Sequence, residues 1–147
     1  MKKYKKIVAV QGDDINKINP KTDTTLLLAL EAQRRGYEIY YYKTKDLSYS
    51  NKIVYASTKQ IEFTKNKKKF YSIKGSKLLD LSKAKFILMR QNPPFNMDYI
   101  TSTFFLESIS KTVKIINNPI AIRNVSEKFY SINFLKFMPP TIFTKDI

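Results

Sequence analysis

Lys5-Lys6-Ile7-Val8-Ala9-Val10-Gln11-Gly12-Asp13-Asp14, read with Asp23-Thr24-Thr25 and Gly36, decides the fold. The run from Lys5 to Gln11 has the length of a buried strand and ends in a polar loop. Asp23 reads as a helix start, because its side chain can accept from the first free N–H groups. Leu26, Leu27, Leu30 and Gln33, with Ala29 and Ala32 between them, give a helical apolar face. Gly36 supplies a left-handed C-terminal stop. Glu38 to Lys43 is a second, tyrosine-rich strand. The unit is β–α–β, whose crossover is right-handed and whose strands are parallel. The expected class is α/β, a mostly parallel sheet flanked by helices.

Further along, Lys52–Thr58, Gln60–Thr64 and Phe70–Ile73 are short β-like runs, a small β-hairpin insertion around 52–74. Lys65-Asn66-Lys67-Lys68-Lys69 is its charged tip, and Leu78-Leu79-Asp80-Leu81-Ser82 a connection. Lys85–Arg90 is a core strand, and Asp98–Ser110 a helix with Ile100, Phe104, Phe105 and Ile109 inward. Thr112–Ile116 is another strand. Ser126–Phe137 reads as a helix with Ser126 as N-cap and Glu127 in its first turn. Pro139-Pro140 ends that helix, and Thr141–Phe143 begins a strand. A fresh strand just before Ile147 reads as the opening of something longer.

Composition narrows the function classes. A chain of 147 residues is one domain's worth and can bury a sizeable core. No apolar run reaches the roughly 18–20 residues of a membrane span. Ile7-Val8-Ala9-Val10 is shorter than the about 7–15 apolar residues of a secretory signal. There is no cysteine and no histidine, which removes disulfides, zinc sites and histidine-based triads. The expected compartment is the cytoplasm. The net charge of +15 raises the question of a polyanion partner. Yet the only arginines are Arg34, Arg35, Arg90 and Arg123 among 27 basic residues, and arginine is favoured where bidentate phosphate contacts matter. The lysine excess runs with Asn, Ile, Tyr and Phe, all residues of AT-rich codons, so compositional drift is preferred over nucleic-acid binding.

The candidate chemistry lies at strand ends. Met89-Arg90-Gln91-Asn92-Pro93-Pro94-Phe95 puts an arginine after an apolar run, then a stiff double-proline loop. Strand C-terminal edges are where such sheets bind ligands. The alternative is an ordinary connection with a solvated arginine. Asp13 and Asp14 end the first strand at the same edge, where turn formation or helix capping would also account for them. Asn117-Asn118-Pro119-Ile120-Ala121-Ile122-Arg123 adds polar groups there. Lys128 lies in the first turn of a helix, where a cation opposes the dipole; it is either a phosphate contact or a solvated lysine. With three glycines, no Gly-x-Gly-x-x-Gly or P-loop pattern exists.

Four segments carry a resemblance. They are Asp13-x-Ile15-x-x-Ile18-Asn19-x-x-x-Asp23-Thr24-Thr25, Leu30-Glu31-Ala32-Gln33-Arg34-Arg35-Gly36-Tyr37-Glu38, Ile87-Leu88-Met89-Arg90-x-Asn92-Pro93-Pro94-Phe95, and Asn117-x-Pro119-x-x-Ile122-Arg123-x-x-x-Glu127-Lys128. In order and spacing the chain resembles the first half of bacterial glutathione synthetases. The resemblance implies a Rossmann-like domain over 1–123, with 124–147 the start of an ATP-grasp domain. It implies an ATP-dependent carbon–nitrogen ligase that joins γ-glutamylcysteine to glycine through an acyl phosphate. ATP and Mg2+ would be bound mainly by the later domain, so this stretch alone would be inactive. It makes Asp13, Arg90, Asn92 and Pro93 substrate-binding and Lys128 an ATP contact, places no catalytic residue or metal ligand here, and implies a homo-oligomer. The chain departs from the pattern at Asn92, Asn96 and Asn124, where an acidic residue is common. The other readings are a different ATP-grasp carboxylate–amine ligase, a basic nucleic-acid-binding module, or a regulatory domain without turnover.

Overall fold

The computed structural model describes residues 6–66, 68–126 and 128–144. The expected Rossmann-like α/β core is present. β1 (Lys6–Gln11), α1 (Thr24–Arg34) and β2 (Tyr37–Tyr42) form the β–α–β unit, with β1 and β2 parallel from Lys6↔Tyr37 to Gln11↔Tyr42. Asp23 caps α1, its Oδ1 accepting from Thr25 N at 2.7 Å, and Gly36 stops it at φ 81°. β6 (Phe86–Met89) joins the other side of β1, and β7 (Lys114–Ile116) joins β6, both parallel.

The sheet is covered on both faces, so β1 carries consecutive buried residues rather than alternating ones. Val8, Val10, Ile39 and Tyr41 pack towards Leu26 and Ala29 of α1. Ala9, Tyr40, Tyr42, Ile87 and Met89 pack towards Leu106 of α2 (Met97–Ser108).

Between β2 and β6 lies an antiparallel insertion larger than expected. β3 (Leu47–Ser50) turns back through Asn51 (φ 50°) and Lys52 (φ 65°) into β4 (Ile53–Phe63). Successive positive φ values are the geometry of a two-residue hairpin turn. β4 is one strand, not two: its first half buries Val54, Ala56 and Thr58 on one face of the sheet and its second half Ile61 and Phe63 on the other, while the extra residue of the register shift, Lys74, lies in β5. β5 (Tyr71–Asp80) pairs with it throughout, so Leu78-Leu79-Asp80 is strand and not connection. β5 occupies one edge of β4; β2 and β3 therefore share the other, end to end. Gln33 of α1 ties down the end of this ribbon: its amide donates to Phe63 O (3.0 Å) and accepts from Phe63 N (2.7 Å).

Other expectations need correction. Leu27 is 64% and Phe104 54% exposed. α2 instead turns Ser102, Thr103 and Leu106 inward, with Ser102 Oγ accepting from the buried Gln11 Nε2. Phe104 lies against the guanidinium of Arg123, which is held by Glu107 at 2.7 Å. After β7, Asn118 caps α3 (Pro119–Asn124) with proline at its first turn, the positions both residues favour. The expected helix from Ser126 is a 3-10 helix over Phe129–Phe137, broken at Phe134 (φ −125°, ψ 26°). Apart from the half-buried Ile132, its apolar residues are exposed, and helices draw most of their stability from packing. Thr141–Phe143 forms no strand among the described residues. Lys5, Lys67, Glu127 and Ile147 lie outside them. No described helix is long and apolar enough to cross a membrane.

Candidate functional site

β1 and β6 end level, because Gln11 pairs with Met89 and Arg90 N donates to Gln11 O at 2.7 Å. Both loops therefore leave the same edge of the sheet, and their side chains converge. Asp13 Oδ2 accepts from Asn92 N (3.0 Å) and from Asn92 Nδ2 (2.8 Å). This explains the amide at Asn92: a carboxylate there would face Asp13 with like charge. Asn96, the second amide of the loop, caps α2, its Oδ1 accepting from Tyr99 N. The Pro93–Pro94 bond between them is cis.

Arg90 reaches across to the start of α1. Its Nε donates to Thr25 Oγ1 (3.2 Å) and its Nη2 to Thr24 Oγ1 (2.6 Å). Its partners are neutral hydroxyls, and no carboxylate pairs with it among the described residues. A pocket of about 110 Å³ is lined by Arg90, Asp13, Asp14, Asp23, Thr25 and Asn92. Beside it, Asp13, Asn92 and Pro93 share a second pocket of about 140 Å³ with Tyr99 and Asp98. An arginine fork and several carboxylates around one cleft can receive a ligand carrying both a carboxylate and an ammonium group.

Tyr41 stiffens this edge. Its hydroxyl donates to Asp13 O at 3.0 Å. Burial, then the carboxylates of Asp13, Asp23 and Asp14, push its phenol up, so it stays a donor. Gly12 is required by its approach: a Cβ there would lie 2.1 Å from the Tyr41 hydroxyl oxygen. Asp14 caps the 3-10 turn Ile15–Lys17 and pairs with Lys43 at 3.0 Å, which holds its carboxyl below the usual range.

The structure thus brings together Asp13, Arg90, Asn92 and Pro93. Lys128 lines neither pocket; it is exposed at the start of the 3-10 helix. Thr24, Thr25, Tyr41 and Gly12 were not singled out as site residues from the sequence. The threonines looked like a helix cap, and only the scarcity of glycine marked Gly12. Among the described residues no three His, Cys, Asp or Glu side chains converge to hold a metal ion.

The family model of the prokaryotic glutathione synthetase N-terminal domain matches residues 7–123. The chain belongs to the prokaryotic glutathione synthetase family. The glutathione synthetase of Agrobacterium fabrum is 39% identical over 142 residues, covering 97% of this chain and 44% of the relative. That of Brucella melitensis is 40% identical over 139 residues, with 95% and 45% covered. That of Buchnera aphidicola subsp. Baizongia pistaciae is 38% identical over 136 residues, with 91% and 42% covered. The chain spans less than half the length of these relatives. The matched stretch contains both loops of the cleft and ends at Arg123.

Proposed function

We propose that this chain is the substrate side of a glutathione synthetase, a ligase that joins γ-glutamylcysteine to glycine at the expense of ATP. The observation that carries the reading is Arg90, a guanidinium held among the described residues by two threonine hydroxyls beside Asp13. Arginine has five N–H donors, and two are used here, so the rest remain for a ligand carboxylate. Asp13 keeps Oδ1 for an ammonium group while Oδ2 is held by Asn92. The γ-glutamyl end of the dipeptide carries both groups. Asn92 and Pro93 shape the loop around them.

The domain division follows: 1–123 binds substrate, and 124–147 opens an ATP-grasp domain. The end of the family match and the exposed apolar side chains after Val125 support it. ATP and magnesium are held mainly by the portion of such enzymes beyond this stretch, with Lys128 contributing a phosphate contact. The full protein works in the cytoplasm as a homo-oligomer, and this chain alone makes no glutathione.

Calorimetric titration of the chain with γ-glutamylcysteine tests the reading. Arg90→Met lowers affinity about tenfold or more, the scale of a lost charge-assisted pair. Equal binding by wild type and variant would refute the site. Glutathione formed by the purified chain from γ-glutamylcysteine, glycine and ATP would refute its inactivity.

A further inference from the structure

A larger cavity, about 610 Å³, shares only Asp14 and Tyr41 with the pocket beside Arg90. Its origin is topological. β2 pairs with β4 as far as Lys59, and β3 resumes the pairing at Ala56. Ser57 and Thr58 therefore have no β2 or β3 partner, while Lys43 and the 3-10 turn Thr44–Asp46 connect β2 to β3. The gap opens a groove between the Ile15–Lys17 turn and β5, of the size that small ligands occupy.

Its lining is of two kinds. Leu78 (62% exposed) and Ile73 (50%) form an apolar shelf on β5. Lys43, Lys45 and Lys59 supply positive charge. The carboxylates nearby are already engaged: Asp14 takes Lys43 Nζ, and Asp46 Oδ2 accepts from Lys43 N at 2.8 Å. Lys45 and Lys59 have no carboxylate partner among the described residues.

We propose that this groove is a second binding site, for a small organic anion with at least two negative oxygens on an apolar body. The oxygens meet Lys45 and Lys59, and the body covers Leu78 and Ile73. An anion that also draws on Lys43 competes with Asp14, the cap of the Ile15–Lys17 turn. That turn, through Lys17, also borders the Arg90 pocket, so occupancy of the groove is felt at the candidate substrate site.

Titration of the nitrogen-15-labelled chain with phenyl phosphate, phthalate and inorganic phosphate, followed by amide NMR, tests this. The expected result is saturable shifts at Ser57, Thr58 and Ser76 to Leu78 with phenyl phosphate. Lys45→Gln with Lys59→Gln weakens binding about tenfold, and Leu78→Ser about threefold. Phthalate binding as well as phenyl phosphate supports a charge-and-shape site; preference for phenyl phosphate supports it and narrows the ligand to phosphoesters. Non-saturating shifts spread over the surface lysines, inorganic phosphate binding as tightly as phenyl phosphate, or unchanged affinity in the lysine variant would each overturn it. Arg90→Met leaves this binding intact. Loss in that variant would place the anion beside Arg90 and sink the second site, whereas failure of γ-glutamylcysteine to bind would leave it standing.

Discussion

The sheet and the C-terminal segment contain the same kinds of apolar residue in opposite circumstances. Val10, Ile39, Ile87 and Leu106 are shut between layers at 0–1% exposure, while Phe129, Tyr130, Phe134, Leu135, Phe137, Ile142 and Phe143 range from 40% to 89%. In the segment, aromatic rings meet mainly each other, as Phe129 with Phe143 at 5.7 Å and Tyr130 with Phe134 at 6.0 Å. Hydrophobicity alone does not make a core; a second layer must be present to cover it. Contiguous exposed apolar patches of this extent are uncommon on monomeric soluble domains.

The contrast can be broken most directly by truncation. Leu106→Ala removes a side chain with no exposure, and thermal or urea unfolding of the chain should show a loss of about 2–5 kcal/mol. Phe137→Ala should cost less than about 0.5 kcal/mol in the same assay. Equal losses would mean that the segment is as well packed as the sheet. Next in size is Gly12→Ala, which forces a methyl group onto the Tyr41 hydroxyl and should destabilise by about 1–3 kcal/mol. Tyr41→Phe in that background should recover part of the loss, because it removes the nearest atom; no recovery in the double variant would put the strain elsewhere.

A smaller effect concerns charge. Arg34 and Arg35 both clasp Glu31 and hold its carboxyl at about 2, against an ordinary value of 4.5. A depressed carboxylate contributes stability that is present above the unfolded value and lost as pH falls towards the folded one. The loss should therefore fall between pH 4.5 and about 2 and be slight, since the Glu31 side chain is at the surface, 43% exposed, where solvent screens the pairs. A carbon-detected NMR titration of Glu31 with a midpoint near 4.5 would remove the clasp from the account. Smallest in stability is Phe134→Ser with Phe137→Ser: unfolding should barely shift, while sedimentation should show less self-association. Unchanged association would mean that the exposed rings are not adhesive.

The parallel core was legible because its signals are local and agree: an apolar run, a capping aspartate, a helical stripe, then Gly36. The cleft was legible in part for the same reason, since two strand ends in register must present Asp13 and Arg90 together. Thr24 and Thr25 were legible only as a cap. Their bonds to Arg90 span 66 and 65 positions, a pairing that only the folded sheet creates. β4 reads in sequence as two strands because its buried face switches from the Val54 and Ala56 side to the Ile61 and Phe63 side, a change of phase that looks like a break. The C-terminal helix is read from its ends, Ser126 and Glu127 before it and Pro139-Pro140 after it, and end signals supply no neighbour to pack against.

One side chain has a mechanical consequence. By engaging both the N–H and the C=O of Phe63, Gln33 acts as a splint one residue long, occupying the hydrogen-bonding positions that another chain would otherwise use. The ribbon is thereby bolted to α1 at the point where it leaves the sheet. Lengthening or shortening the tip between Thr64 and Phe70 should then be absorbed locally, because the splint isolates the strands behind it. Gln33→Leu would unfasten it, and a lengthened tip in that background should begin to fray the ribbon from its free end.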